Sequence, residues 1–103
     1  MATWRRGSTP TNIFCVNVDL RGAMVYITYK QNGEIIVEKS GDDIAIEETY
    51  VSTKLTQEET LRFKDGVVRI QIRYVRESGQ ADASNILETR AEEILKDGEI
   101  FYE

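Results

Sequence analysis

VVRIQIRYVRESGQADASNIL, Val67 to Leu87, is the stretch whose reading decides the fold. Val68, Ile70, Ile72 and Tyr74 recur at every second position, with Arg69, Gln71 and Arg73 between them. Side chains alternate across an extended chain, so this spacing predicts a strand with one apolar row buried and one polar row in water. Glu77-Ser78-Gly79-Gln80 supplies turn chemistry, and Ala81 to Leu87 reads as the returning partner. The stretch therefore predicts a long antiparallel hairpin at the centre of a β protein.

Working outward, the same period recurs on both sides. In Ala23 to Lys30, Val25, Ile27 and Tyr29 alternate with Met24, Tyr26 and Thr28, and two fairly apolar faces predict a central strand. Asn32-Gly33 follows, a strong hairpin signal. The return over Glu34 to Lys39 is expected to aim Ile35 and Val37 at the core, with Ile36 competing for the register. Asn12 to Leu20 predicts a strand with Phe14, Val16, Val18 and Leu20 on one face, and Cys15 reads as a packed, inert thiol. Ile44 to Glu48 suits a short edge strand guarded by charge, and Tyr50 to Leu55 alternates again.

Thr56-Gln57-Glu58-Glu59 breaks the β pattern and matches a capping box. It predicts one short helical turn near residues 57–62, closing the core with Leu61 and Phe63. Downstream, Ile86 to Arg90 reads as the end of a strand, while Thr89-x-x-Glu92 is a second capping box that leaves a helix over 89–96 as the alternative. All seven glycines fall at breaks between strands or in the terminal segments. Together these signals predict an all-β fold, an immunoglobulin-like antiparallel β-sandwich of about seven strands. Residues 1–11 read as a flexible N-terminal arm, 12–96 as the sandwich domain and 97–103 as a C-terminal tail.

Composition narrows the chemistry. At 103 residues, 41% hydrophobic and 30% charged, the chain suits one ordinary globular domain. A net charge of −5 argues against general nucleic-acid binding, which needs clustered cations to neutralise phosphates. The outward stripe Arg69, Arg73 and Arg76 lacks interleaved aromatics and reads as a solvated strand face paired with neighbouring glutamates. One cysteine permits no internal disulfide, and the lack of histidine removes the commonest general base and zinc ligand. Asp42-Asp43 lacks the ligand spacing of a calcium loop, and no phosphate loop or nucleophile elbow is present. The expectation is therefore a protein that is not an enzyme, with no cofactor and no metal. No apolar run approaches a signal segment or a membrane span, so a cytoplasm, or release by lysis, is the expected location.

What remains is protein–protein contact. Ile100-Phe101-Tyr102 is an apolar tail that could pack on its own domain or dock on a subunit. Trp4 could cover a sheet edge or anchor a partner, since tryptophan is enriched at binding hot spots. The candidate partner-binding residues are thus Trp4, Ile100, Phe101 and Tyr102, with other protein subunits or a second copy as partners. Removing residues 1–9 and 98–103 is expected to leave the fold intact. The rival reading is a carbohydrate- or small-ligand-binding module that stacks ligands on Tyr26, Tyr50 or Tyr74.

Val18-Asp19-Leu20-Arg21-Gly22-Ala23-Met24-Val25-Tyr26-Ile27-Thr28-Tyr29-Lys30, followed by Gln31-Asn32-Gly33, resembles the opening of small prophage-encoded proteins from Gram-positive bacteria. Leu55 to Phe63 and the return GQADASNI, Gly79 to Ile86, continue the likeness. The layout over roughly residues 10–96 is also similar to the N-terminal β-sandwich domain of phage baseplate upper proteins. The shared motifs are structural, and they carry no catalytic residue to this chain. The resemblance implies a virion- or tail-associated structural module.

Overall fold

The computed structural model describes residues 3–102. Its strands are β1 (Thr3–Arg5), β2 (Thr11–Cys15), β3 (Met24–Gln31), β4 (Glu34–Ser40), β5 (Ile44–Ile46), β6 (Tyr50–Lys54), β7 (Gly66–Val75), β8 (Ala81–Ala83) and β9 (Leu87–Glu92), with one helix, α1 (Gln57–Leu61). A 3-10 turn, Gly41–Asp43, joins β4 to β5. β7 is the longest strand and lies inside a six-stranded sheet of order β1-β9-β7-β3-β4, with β8 also paired to β7. β2, β6 and β5 form the second, three-stranded sheet. Every pairing is antiparallel except the one between β1 and β9. The chain is an all-β, immunoglobulin-like sandwich, as the alternating segments predict.

The central strands obey the alternation. Val25, Ile27 and Tyr29 on β3, and Val68, Ile70 and Ile72 on β7, point into the core. They meet Val51 and Leu55 at the small sheet and the strand end beyond it, and Phe63 after α1. Each such side chain contributes about 1.5–3 kcal/mol by leaving water. Asn32 and Gly33 both take positive φ, which matches the twist of the β3–β4 hairpin. Thr56 and Glu59 form the capping box of α1, with Oγ1 of Thr56 accepting from the Glu59 N–H and Oε1 of Glu59 accepting from the Thr56 N–H.

Polar side chains inside the sandwich tie its parts together. The Asn12 amide donates to the Tyr29 hydroxyl at 2.6 Å and joins the two sheets. Burial pushes the Tyr29 phenol up to about 12, although the Asn12 bond opposes the shift. Lys39 faces inward from β4 and pairs with Glu59 of α1 at 2.8 Å. Burial pushes the Glu59 carboxyl up, but bonds from the Lys39 ammonium and the Thr56 N–H outweigh it and hold the group below its ordinary value.

Several expectations are corrected. The N-terminal arm enters the sheet: Trp4 stands opposite Ala91 in the parallel β1–β9 ladder and is 7% exposed. Deleting residues 1–9 therefore removes a core side chain and a strand. The returning arm of the central hairpin is split in two. Arg73 pairs with Ala83 and Ile70 with Leu87, so a bulge places Asn85 and Ile86 opposite Gln71. Ser84 holds that bulge, donating its N–H to Ile72 O and accepting the Ile72 N–H on Oγ. The split and β1 raise the strands from about seven to nine.

β9 runs to Glu92, so strand wins over the helix that the Thr89 box allowed. Thr89 and Ala91 are buried on its inner face, a period of two that a helix would destroy. In β4 a register shift puts Lys30 opposite Ile35, which is exposed, and leaves Val37 as the fully buried apolar residue of the strand, with Ile36 half-buried against the core. β2 stops at Cys15 because Asp19 closes a turn, accepting both the Arg21 N–H and its guanidinium. Leu20 is buried beyond it, but Val18 is exposed. Cys15 lies on the outer face of the small sheet opposite Tyr50, so its thiol is exposed and not packed.

Candidate functional site: the C-terminal segment and the open side of the sandwich

The four candidate contact residues separate into two groups. Trp4 meets Phe63 edge-on, with ring centroids 4.9 Å apart, and its indole N–H is buried without a hydrogen-bond partner among the described residues. It is a core residue and not a surface anchor. Ile100, Phe101 and Tyr102 are 57%, 74% and 104% exposed; Ile100 borders a shallow depression with Gly7, Ser8 and Ile94, and Phe101 and Tyr102 are the barest of the three. Leu95 is fully exposed nearby in the chain. Glu103 lies outside the described residues.

The path that delivers this segment is held by polar contacts. Arg6 donates to the carbonyls of Phe63 and Leu61 and pairs with Asp97 at 3.3 Å. Gly7 has φ +77, and a Cβ there would press on Ile94 at 3.3 Å, so glycine lets the N-terminal turn and the C-terminal segment lie close together. Further on, the Gln57 side chain grips the backbone of Ile100. Its amide donates to Ile100 O and its carbonyl accepts the Ile100 N–H, both at 2.9 Å. The N–H and C=O of one residue point to the same side of an extended chain, so Gln57 acts as a neighbouring strand would.

A second feature lies at the side of the sandwich where β2 ends. A cleft of about 380 Å³ opens between the β2 exit, Cys15 to Val18, and the β7–β8 hairpin. Leu20, Ile72, Tyr74 and Leu87 give it an apolar floor, and Asn17, Asp82 and Asn85 supply polar groups. Sequence reasoning missed this cleft because its walls come from segments more than fifty residues apart.

The remaining candidates do not assemble into a site. Tyr26 lies on the outer face of the large sheet and Tyr50 on that of the small sheet, while Tyr74 turns inward opposite Val25 beneath the Arg76 guanidinium. The three rings therefore share no stacking platform. Arg69 and Arg73 face outward and make no ion pair among the described residues, although Arg69 stands opposite Glu88; the expected glutamate pairing is not formed there. Arg76 leaves the stripe to donate to Asp19 O.

Among the described residues two carboxyls are shifted, and both answer to structural cations. Besides Glu59, the exposed Asp19 is held down to about 2 by its bonds with Arg21. Asp42 and Asp43 are exposed in the 3-10 turn, and no cluster of three metal-ligating side chains occurs among the described residues. Nor is any helix among them long and apolar enough to cross a membrane.

No family model and no curated protein matches this chain. Among solved structures it is similar to the immunoglobulin-like domain of mouse leukocyte-associated immunoglobulin-like receptor 1, described as a strand-swapped dimer. The identity is 14%, over 86% of this chain and 84% of that one, with a TM-score of 0.46. A strand-swapped dimer of the same receptor's extracellular domain gives 13% identity, coverage of 87% and 85%, and a TM-score of 0.48. The V domain of amphioxus IgVJ-C2 gives 10% identity, coverage of 88% and 99%, and a TM-score of 0.34. None of these likenesses carries a site residue to this chain; the sandwich assignment stands on the two sheets described above.

Proposed function

We propose that this domain is a non-enzymatic module for protein–protein assembly, with Ile100-Phe101-Tyr102 as its contact segment. The observation that carries the reading is the exposure of three consecutive large apolar side chains beside a core that is complete without them. Burying each against a partner would contribute about 1.5–3 kcal/mol, offset by the ordering that association requires. Aromatic side chains are also the type enriched at binding hot spots. The partner is another protein subunit or a second copy of the chain.

The setting we propose is a phage or prophage particle, as a tail- or baseplate-associated component. Support for that setting is the likeness of Val18 to Gly33, Leu55 to Phe63 and Gly79 to Ile86 to small prophage-encoded proteins. Neighbouring genes for tail and baseplate components would agree with it, and regulatory neighbours would count against it. The contact itself is tested by removing residues 98–103 and comparing light-scattering mass and retention on immobilised full-length protein. Weaker association with an unchanged far-ultraviolet dichroism spectrum is the expected result. An unchanged mass together with unchanged retention would remove the reading.

A further inference from the structure

Most free strand edges of this sandwich are guarded. β4 carries Glu34, Glu38 and a register shift, while β5 is only three residues long between Asp42-Asp43 and Glu47-Glu48. β1 is equally short and carries Arg5. Charge, brevity and bulges all discourage a second chain from pairing. β2 has none of these devices. Thr11-Asn12-Ile13-Phe14-Cys15 contains no charge, proline or bulge, and it pairs with β6 alone.

The hydrogen-bond phase shows which groups the β2 edge offers. Val16 donates to Thr49 O, and Leu55 donates to Pro10 O. Even-numbered residues therefore turn their backbone groups toward β6, and Thr11, Ile13 and Cys15 turn theirs away. Among the described residues no hydrogen bond reaches those outward groups. Beside this edge lies the apolar cleft, where β8 and β9 extend the large sheet while the small sheet has no strand beyond β2.

The C-terminal segment has the complementary form. Gln57 takes the N–H and C=O of Ile100. The backbone groups of Glu99 and Phe101 then face the opposite side, where among the described residues nothing bonds them. The tail is one side of a ladder that lacks its second strand. We propose that the tail of a second copy adds to the β2 edge as a fourth strand of the small sheet, head to tail. Phe101 stands opposite Ile13, itself 63% exposed, so that Ile100 and Tyr102 turn toward the cleft. The backbone bonds bind, and the alternating side chains set the register. No existing bond has to break, because the Gln57 grip uses the other side of the tail. A contact between two different surfaces propagates to a ring or a filament. This inference rests on the tail being the contact segment and names the surface that receives it.

The test is complementation between two blocked variants of the full chain. Ile13→Lys places a charge on the edge, and Ile13→Pro removes the outward N–H. Phe101→Asp spoils the tail. All these positions are exposed, and dichroism and melting check that each variant folds. The wild type is expected to grow in sedimentation mass with concentration, and each blocked variant to associate roughly tenfold more weakly or not at all. An equimolar mixture of an edge variant and the tail variant should form a dimer and stop there, since one intact edge meets one intact tail. A mixture that stays monomeric, an edge variant that self-associates as strongly as the wild type, or a wild type monomeric at millimolar concentration overturns the proposal. Association lost with Phe101→Asp but kept with both Ile13 variants sinks the β2 acceptor and leaves the tail as the contact segment.

Discussion

The two ends of this chain look alike as sequence and behave oppositely in the fold. Each has large apolar residues in a short segment flanked by glycine and charge. Thr3–Arg5 becomes a strand because β9 offers it a free edge, and Trp4 finds room beside the small Ala91 and against the Phe63 ring. Among the described residues Ile100-Phe101-Tyr102 pairs with no strand of its own chain; the Gln57 side chain holds its backbone, and Ile100 borders the N-terminal turn at Gly7 and Ser8. An apolar segment thus enters a core only where a ladder partner and a vacancy of the right size coincide. The same residues without them stay in water and are available to another chain.

The comparison breaks most readily at Trp4. Trp4→Ala should cost about 3–5 kcal/mol in a denaturant titration, a large share of the stability of a domain this size. Trp4 is the only tryptophan, so wild-type emission should be that of a buried indole and should shift red on unfolding. If Trp4→Ala leaves the midpoint unchanged, the N-terminal segment is an arm after all.

Next in size is the pair that joins β4 to α1, the element that also grips the tail. Lys39→Ala should cost about 3 kcal/mol near neutral pH, because it leaves a largely buried carboxylate without its cation. Glu59 is lowered in the folded state, so its contribution is full above its ordinary value of 4.5 and is lost as pH falls through the depressed folded value. The variant's deficit should therefore shrink in acid, which melting curves at several pH values would show. A deficit constant with pH would mean that the pair contributes packing and no charge effect.

The smallest effect is expected at the tail. Gln57→Ala removes two solvent-accessible hydrogen bonds to Ile100 and should cost no more than about 1 kcal/mol. It should nevertheless speed proteolytic cleavage after Phe101, since the segment loses the hydrogen bonds that hold its backbone among the described residues. Unchanged cleavage would show that Gln57 does not order the segment.

Short-range physics made much of this protein legible. Alternation over Val68 to Tyr74 and Val25 to Tyr29 determined the central strands, Asn32-Gly33 their turn, and Thr56 with Glu59 the helix start. Each depends on residues a few positions apart, which a sequence displays directly. Where register depended on a distant strand, the reading slipped. The bulge at Asn85-Ile86 and the shift at Ile36 are settled by which backbone group meets which across the sheet. The tail could be named as exposed apolar chain, but the edge that suits it could not, because an edge is defined by the strand that is not beside it. Sequence determined which segments extend and which way their side chains alternate. Only the tertiary structure decided that Trp4 is covered, that Tyr102 is bare and that β2 is open, because those outcomes depend on the space left when distant strands pack.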